Sequence, residues 1–217
     1  MTTAAKATSN PLRSVLDEGL QQLPLQLSAT QCDQLLAYVT LLDKWNRVYN
    51  LTAVREPARM IGLHLLDSLA VLPYLGIGKT LLDVGTGGGL PGIPVSIARP
   101  DLSVTMLDTI AKKTTFVRQA IADLELVNAE AVTARVEEFK PARKFDIVVS
   151  RAFAELKDFV DSAANHCADA GLMLAMKGVF PHDEIARLPG GIEVTEVVPL
   201  NVPQVDGKRH LVLLRKT

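Results

Sequence analysis

The stretch Leu81-Leu-Asp-Val-Gly-Thr-Gly-Gly-Gly-Leu-Pro-Gly-Ile-Pro94 decides the fold class of this chain. A short apolar run at 80–84 leads into five glycines within eight positions, and a helix is expected to follow. Such a run is typical of a buried strand, and the glycines let the backbone approach a ligand where a Cβ would clash. In doubly wound sheets this turn lies at the carboxyl end of the first strand, where ligands bind. The stretch therefore predicts a ligand-binding turn in a parallel sheet.

The segments after this turn continue an alternation of strands and helices. Apolar runs predict strands, and segments of helical length lie between them: strands at 103–108, 144–150 and 171–178, helices at 112–124 and 155–168. This order predicts a parallel sheet covered by helices on both faces. The last two apolar segments, IEVTEVVPL and RHLVLLR, alternate in polarity and favour antiparallel strands at the sheet edge.

The first third of the chain has helical periodicity instead. Ser28 and Gln31 form a capping-box pattern before one helix, and Pro57 can open another that runs to residue 72. A break near residues 76–79 separates this part from the α/β part. We therefore expect a flexible N-terminus at 1–10, a helical cap at 11–78 and an α/β domain at 79–217.

Composition narrows the class of protein. The 217 residues include 23 basic and 24 acidic side chains, and 48% of the residues are hydrophobic. These values fit one soluble domain with an appendage and exclude a disordered chain or a uniformly basic nucleic-acid coat. Cys32 and Cys167 have neither metal-ligand spacing nor disulfide density, which favours a reducing compartment. We expect a cytoplasmic protein, since neither a signal peptide nor a membrane span is evident.

Two classes of cofactor-binding turn compete for the glycine-rich stretch. The nicotinamide fingerprint GxGxxG fails from Gly85, because its sixth residue is leucine, and from Gly87 it fits only with Pro91 inside it. Turns that bind S-adenosylmethionine have a shorter GxGxG after an acidic residue, here Asp83, which can face the ligand's ammonium. Asp108, at the end of the next strand, can accept ribose hydroxyls from either cofactor. A purely structural turn is the third alternative.

A set of motifs follows in order from about residue 32 to the end of the chain: Trp45-Asn46-x-x-Tyr49-Asn50-Leu51-Thr52, His64-Leu-Leu-Asp67-Ser68, Asp83-Val-Gly-Thr-Gly-x-Gly-Leu-Pro-Gly-Ile-Pro94, Leu107-Asp108, Arg135-Val-Glu-Glu-Phe139, Ser150-Arg-Ala-Phe153, Lys177-Gly178 and Arg209-His-Leu-Val212. In this order the set resembles the bacterial 16S ribosomal RNA guanine-N7 methyltransferase family, also called glucose-inhibited division protein B. The ordered set is far more specific than any one of its members.

The resemblance implies a class I, Rossmann-like methyltransferase fold with an N-terminal helical cap, and S-adenosylmethionine as the methyl donor. It implies donor-site residues at Gly85, Leu90, Val136, Glu137 and Arg151, to which the pattern of the turn adds Asp83, Gly87, Gly89 and Asp108. Two positions depart from the family: relatives often carry proline at Gly88 and serine at Thr109. Neither departure removes a hydrogen-bonding group from the expected site.

The implied reaction needs no proton transfer. Guanine N7 has an in-plane lone pair and no proton at neutral pH, and a sulfonium methyl group is already an activated electrophile. Alignment can therefore supply much of the catalysis. Arg151 can pair with the donor carboxylate, and Phe153 can stack on the target base or belong to the core at a helix start. These two are the candidate catalytic residues, and we expect no metal because the histidines lack ligand spacing.

Binding of 16S ribosomal RNA, or of the small ribosomal subunit, requires local basic clusters. Basic and aromatic residues interleave at 44–59, and further basic residues follow Asp108 and crowd the C-terminus. The candidates for RNA contact are Arg47, Tyr49, Arg55, Lys112 and Arg209.

Two other functional classes remain open from the sequence. A nicotinamide-dependent oxidoreductase can use a similar sheet, although Leu90 breaks its fingerprint and no catalytic histidine or Tyr-Lys pair is evident. A non-catalytic RNA-binding or assembly factor can retain a vestigial pocket.

Overall fold

Seven strands form one mixed sheet in the computed structural model, which describes residues 11–151 and 153–217. The sheet order is β3-β2-β1-β4-β5-β7-β6. The strands are β1 Thr80–Val84, β2 Ser103–Asp108, β3 Ala129–Thr133, β4 Phe145–Ser150, β5 Cys167–Lys177, β6 Ile192–Leu200 and β7 Arg209–Lys216. Strands β1 to β5 are parallel, and β7 runs antiparallel to both β5 and β6. The α/β, Rossmann-like prediction is confirmed, whereas the expected flexible N-terminus at 1–10 lies outside the described residues.

Helices cover both faces of this sheet. They are α1 Pro11–Leu20, α2 Ala29–Tyr49, α3 Pro57–Met60, α4 Asp67–Leu69, α5 Gly92–Ala98, α6 Ala111–Asp123, α7 Leu156–Ala163 and α8 His182–Ile185. Successive strand residues point to opposite faces, so Leu81 joins the core beneath α1, α2, α5 and α6, while Leu82 joins the core beneath α7. The N-terminal helices therefore share a continuous core with one face of the sheet.

Three local predictions within the α/β part differ from the structure. Strand β3 was not expected, because its residues are only half-buried or exposed and form no apolar run. Strand β7 is not an edge strand: it lies between β5 and β6, and its Leu211, Val212 and Leu214 are buried. The helix expected at 155–168 gives way to a short 3-10 turn at Ala164–His166, and β5 begins at Cys167.

The helix expected from Pro57 is interrupted by a π-helical turn at Ile61–Leu66, and a 3-10 turn at Leu72–Tyr74 follows α4. The π-turn places His64 within it and Asp67 directly after it, and both side chains are buried. Such turns are frequent at functional sites because they redirect side chains from the regular helical spiral.

Helix α2 connects the cap to the glycine-rich turn. It begins with the expected capping box, in which Ser28 Oγ accepts from the Gln31 N–H at 3.2 Å and Gln31 Oε1 accepts from the Ser28 N–H at 2.8 Å. In its middle, the buried Tyr38 hydroxyl donates to the Gly88 carbonyl at 2.6 Å. The cap thereby supports the turn from outside the sheet.

Replacing Tyr38 with phenylalanine should lower the free energy of unfolding by about 1–3 kcal/mol, because a buried carbonyl loses its donor. Hydrogen exchange at residues 85–89 should become faster in the same variant. Tyr74→Phe is the matched control, since the Tyr74 hydroxyl has no hydrogen bond within the described residues. Equal stability of the two variants in urea denaturation would contradict this support.

Candidate active site

Asp83 organises the turn that follows β1. Its side chain is fully buried, and Oδ2 accepts from the Thr86 hydroxyl at 2.6 Å and from the Gly92 N–H at 2.9 Å. Burial raises the pKa of Asp83 to about 6, against the lowering effect of these hydrogen bonds. Its other oxygen, Oδ1, is buried without a hydrogen-bond partner among the described residues. An unpaired carboxylate oxygen inside the turn fits a cationic ligand group nearby.

The glycines of the turn have separate roles. Gly85, Gly87 and Gly89 have φ values of +73°, +60° and +90°, which side chains rarely adopt. A Cβ at Gly87 would find no neighbouring atom closer than 4.0 Å, so this position faces open space. A Cβ at Gly89 would come within 2.6 Å of Ile93 Cγ1, so Gly89 shapes the turn and does not line the open space.

A cavity of about 300 Å³ lies at the carboxyl ends of β1 and β2. Asp108 lines it: Oδ1 accepts from the Ile110 N–H at 2.9 Å, and Oδ2 from the Gly87 N–H at 2.9 Å. Lys113 Nζ lies 3.6 Å from Asp108 Oδ2. Asp108 thus joins the glycine turn to the segment after β2, besides facing the cavity. The remaining walls include Gly85, Val136, Glu137 and Phe153.

A second cavity, of about 160 Å³, continues this cleft beneath the cap. Gly85 lines both cavities, and Gly87, Leu90 and Arg151 line the second, together with Thr52 from the segment after α2. Seven predicted donor-site residues therefore line one cleft: Gly85, Gly87, Leu90, Asp108, Val136, Glu137 and Arg151. The other two predicted residues, Asp83 and Gly89, shape the turn and do not line the cleft.

A third cavity, of about 410 Å³, adjoins the cleft at Arg151, which lines both. Its charged lining residues are Asp67, Arg151, Lys177 and Arg209. Asp67 is 4% exposed and contacts both arginines at 3.1 Å. Lys177 Nζ lies 2.8 Å from Glu184 Oε2, which also accepts from the Leu156 N–H at the start of α7. This cavity is predominantly cationic and suits an acceptor-rich or anionic ligand.

His64 is an uncharged wall of the third cavity at neutral pH. Burial and the nearby positive charge of Arg151 lower the pKa of His64 to about 4. Its Nε2 lies 2.9 Å from Thr52 Oγ1, which ties the π-turn to the segment after α2.

The two candidate catalytic residues lie at different places. Arg151 lies where the cleft meets the third cavity. Phe153 lines the far end of the cleft with Asp108 and Val136, and its ring centroid is 5.6 Å from that of Phe159 in the core. This position favours contact with a ligand in the cleft over stacking on a base in the third cavity.

The candidate RNA-contacting residues also lie in different parts of the structure. Arg47, Tyr49 and Lys112 are exposed, and Arg47 pairs with Asp43 at 2.6 Å. Arg55 donates to the Asn46 carbonyl at 3.0 Å and to Asn50 Oδ1 at 2.7 Å, so it closes the end of α2. Arg209 lines the third cavity.

The sequence motifs include Asp67 and Lys177 but indicate no role for either residue. Their partners lie elsewhere in the chain, so spacing carries no signal for them. The one signal in the sequence for Asp67 is an acidic side chain within the apolar segment 60–72, which was predicted to be a single helix.

A larger cavity, of about 1030 Å³, opens at the amino ends of the parallel strands, on the side opposite the cleft, where Thr80 and Ser103 begin β1 and β2.

Within residues 11–151 and 153–217, no cluster of three or more His, Cys, Asp or Glu side chains is arranged to hold a metal ion. No helix of the described part is long and apolar enough to cross a bilayer.

Comparison with known proteins identifies the family. A family model described as rRNA small subunit methyltransferase G matches residues 31–212. The chain belongs to this family. Proteins named ribosomal RNA small subunit methyltransferase G from Chromobacterium violaceum and Laribacter hongkongensis are 53% and 54% identical to it. These matches cover 91% and 94% of this chain and 94% and 98% of the relatives. The family resemblance seen in the motifs is confirmed.

Solved structures support the fold of this methyltransferase family member. A SAM dependent methyltransferase from Aquifex aeolicus matches with a TM-score of 0.57 and 19% identity, over 82% of this chain and 97% of that one. The N-methyltransferase NodS from Bradyrhizobium japonicum, in complex with S-adenosyl-L-homocysteine, also matches with a TM-score of 0.57, at 14% identity, over 80% of this chain and 98% of its own.

Replacing Gly87 with valine should abolish binding of S-adenosylhomocysteine, because the side chain would enter the open space of the cleft. Gly76→Val is the matched control. The φ of Gly76 is +62°, and a Cβ at Gly76 would meet no atom within 4 Å. Gly76 lies at the amino ends of the parallel strands, on the side opposite the cleft. Both variants carry similar backbone strain. Calorimetry that finds equal affinity in the two would show that Gly87 does not face the ligand.

Affinity for S-adenosylhomocysteine should fall roughly fourfold between pH 7.5 and pH 5.5, as Asp83 with its pKa of about 6 becomes protonated and stops attracting the ligand's ammonium. Asp83→Asn should remove this dependence. Asp146→Asn should keep it, because hydrogen bonds from the backbone at Lys79 lower the pKa of Asp146 out of this window. An unchanged pH dependence in Asp83→Asn would assign the effect to another group.

Proposed function

We propose that this protein transfers a methyl group from S-adenosylmethionine to N7 of a guanine in 16S ribosomal RNA. The observation that carries the proposal is the continuity of its two binding spaces: Arg151 lines both the glycine-turn cleft and the adjoining cationic cavity. A donor in the first space and a nucleotide in the second would therefore meet beside one side chain. Membership of the rRNA small subunit methyltransferase G family supports the same assignment.

The cleft has a suitable group for each part of the donor. Asp108 retains acceptor capacity for ribose hydroxyls, because its carboxylate oxygens have about four lone-pair sites and accept two backbone N–H groups. Val136 and Phe153 offer apolar contact to a purine ring. Asp83, buried within the turn, would attract the ammonium through its unpaired Oδ1, and Arg151 at the other end of the cleft suits the carboxylate. When bound, the donor supplies a sulfonium methyl group, which is an activated electrophile.

The residues around the junction align the reactants and do not remove a proton. Guanine N7 presents its lone pair without deprotonation, so the transfer depends on distance and angle. His64 lines the same cavity as Arg151, and its pKa of about 4 makes the neutral ring a weak base. Arg151 itself cannot accept a proton under these conditions. We therefore propose direct transfer without a general base.

The RNA would be held by exposed basic side chains beside the cavity. Arg47 and Lys112 are solvent-exposed, and Val54, which lies within the basic segment 44–59, lines the cavity. Phosphate contacts of this kind bring the nucleic acid into register without reading its sequence. We propose the small ribosomal subunit or its 16S RNA as the partner and the cytoplasm as the location.

The direct test is mass mapping of methylated nucleotides. The purified protein is incubated with S-adenosylmethionine and either naked 16S RNA or assembled small subunits that lack the modification. N7-methylguanine at one position supports the proposal, and Gly87→Val against Gly76→Val provides the donor-dependence control. Calorimetry with NAD as the competing ligand should show no binding. A methyl group on an exocyclic amine or a ribose, or none at all, would refute the proposed reaction.

The methyl-transfer rate in single turnover, with saturating RNA and donor, should be nearly flat between roughly pH 6.5 and 8.5. The pKa of His64 is about 4, so its ring stays neutral throughout this pH range. Saturating donor removes the effect of Asp83 protonation on donor binding. A steep acidic limb near neutrality that disappears on substitution of one histidine or carboxylate would establish a general base.

A further inference from the structure

Asp67 forms a bridge between two guanidinium groups. Its Oδ2 lies 3.1 Å from Arg151 Nη1, and its Oδ1 lies 3.1 Å from Arg209 Nε. The Asp67 side chain is 5% exposed, whereas those of Arg151 and Arg209 are 28% and 27% exposed. The Asp67 carboxylate is thus buried between the two arginines, and both guanidinium groups are partly exposed at the wall of the cavity.

The three residues come from distant parts of the chain. Asp67 follows the π-turn, Arg151 follows β4, and Arg209 begins β7. A second contact fixes each arginine: Arg151 Nη1 donates to the Leu63 carbonyl at 3.1 Å, and Arg209 Nη1 donates to the Lys208 carbonyl at 2.9 Å. The bridge therefore links the cap to two separate strands of the sheet.

The two arginines face different spaces. Arg151 lines both the donor cleft and the cationic cavity, whereas Arg209 lines only the cavity. A displacement of Arg209 can therefore reach the donor cleft through the shared carboxylate. This arrangement is a physical route by which the two spaces influence each other.

Charge gives a second reason for the bridge. Arg151 and Arg209 would repel each other and the cationic N7-methylguanine product if Asp67 did not pair with both, whereas Lys177 has its own partner in Glu184. Asp67 reduces this positive charge and keeps each guanidinium in one orientation. A charge-assisted pair at each oxygen provides directional as well as electrostatic restraint.

We propose that Asp67 is a positioning residue that couples the donor site to the target-nucleotide site, by orienting Arg151 toward the donor carboxylate and Arg209 toward the RNA. This inference rests on the proposed function for the identity of the two ligands. Asp67 acts through the arginines and contacts neither reacting atom.

Asp67→Asn, which preserves size and removes the charge, is the first test. Its saturating single-turnover rate should fall by about tenfold or more, since small misalignments carry large rate penalties, and its affinity for S-adenosylhomocysteine should also fall. Asp101→Asn is the matched control, because it breaks the Arg99–Asp101 pair of 2.7 Å, and neither residue lines any of the four cavities described above. A variant that loses thermal stability but keeps both the rate and the affinity would reduce Asp67 to a structural role.

A double-mutant cycle tests whether Asp67 acts through Arg209. In an Arg209→Ala background, Asp67→Asn should cause a smaller loss of rate than in the wild-type background, because Arg209→Ala has already removed one of the two Asp67 ion pairs and the pair with Arg151 remains. Fully additive losses would overturn this part of the proposal.

Arg209→Ala also provides a test that does not depend on folding of the Asp67 variant. Arg209 does not line the donor cleft, yet its removal leaves Asp67 to Arg151 alone and should weaken binding of S-adenosylhomocysteine several-fold. Unchanged affinity would refute the coupling. If affinity falls as expected while the wild-type protein methylates no RNA, the coupling stands and the proposed function fails.

Discussion

The carboxylate of Asp83 is the constraint on which the site depends. A charged group that is fully buried has a free-energy cost, visible in a pKa raised to about 6. Because the folded-state pKa lies above the unfolded value, folding stability declines as the pH rises from about 4 to 6. In return, one oxygen holds Thr86 and Gly92 together and so closes the turn around its left-handed glycines. Without that closure, neither the cleft nor the start of α5 would have a defined shape.

The N-terminal part of the chain adds residues to the candidate site that the sheet does not supply. Tyr38 supports the turn at Gly88, Thr52 lines the cleft, and Asp67 orients arginines that come from β4 and β7. An isolated sheet would leave the cleft open to water and its arginines without a shared partner. The N-terminal helices therefore line the candidate site and also belong to the core that contains Leu81.

Local sequence predicts those parts of this fold whose causes are local. The glycine turn, Asp108 at the end of β2 and the Ser28 capping box were all found from spacing, because each depends on residues that are close in the chain. Strand β3 was missed because pairing with β2, and not an apolar run, defines it. The buried position of β7 depends on insertion between β5 and β6, which no local pattern encodes. The partners of Asp67 lie 84 and 142 residues away, so its bridge was equally invisible.

The order of charges along the cleft gives the site a direction. The carboxylates of Asp108 and Glu137, with Lys113 and Arg135 beside them, line one end of the cleft, and the Arg151 guanidinium lines the other. A ligand with hydroxyls at one end and a carboxylate at the other can match this order in only one orientation. That orientation places the carboxylate end of the ligand beside Arg151 and its central part along the glycine turn, between Arg151 and Asp108. The electrostatic pattern thus contributes orientation of the reactants, which is what a transfer without proton removal requires.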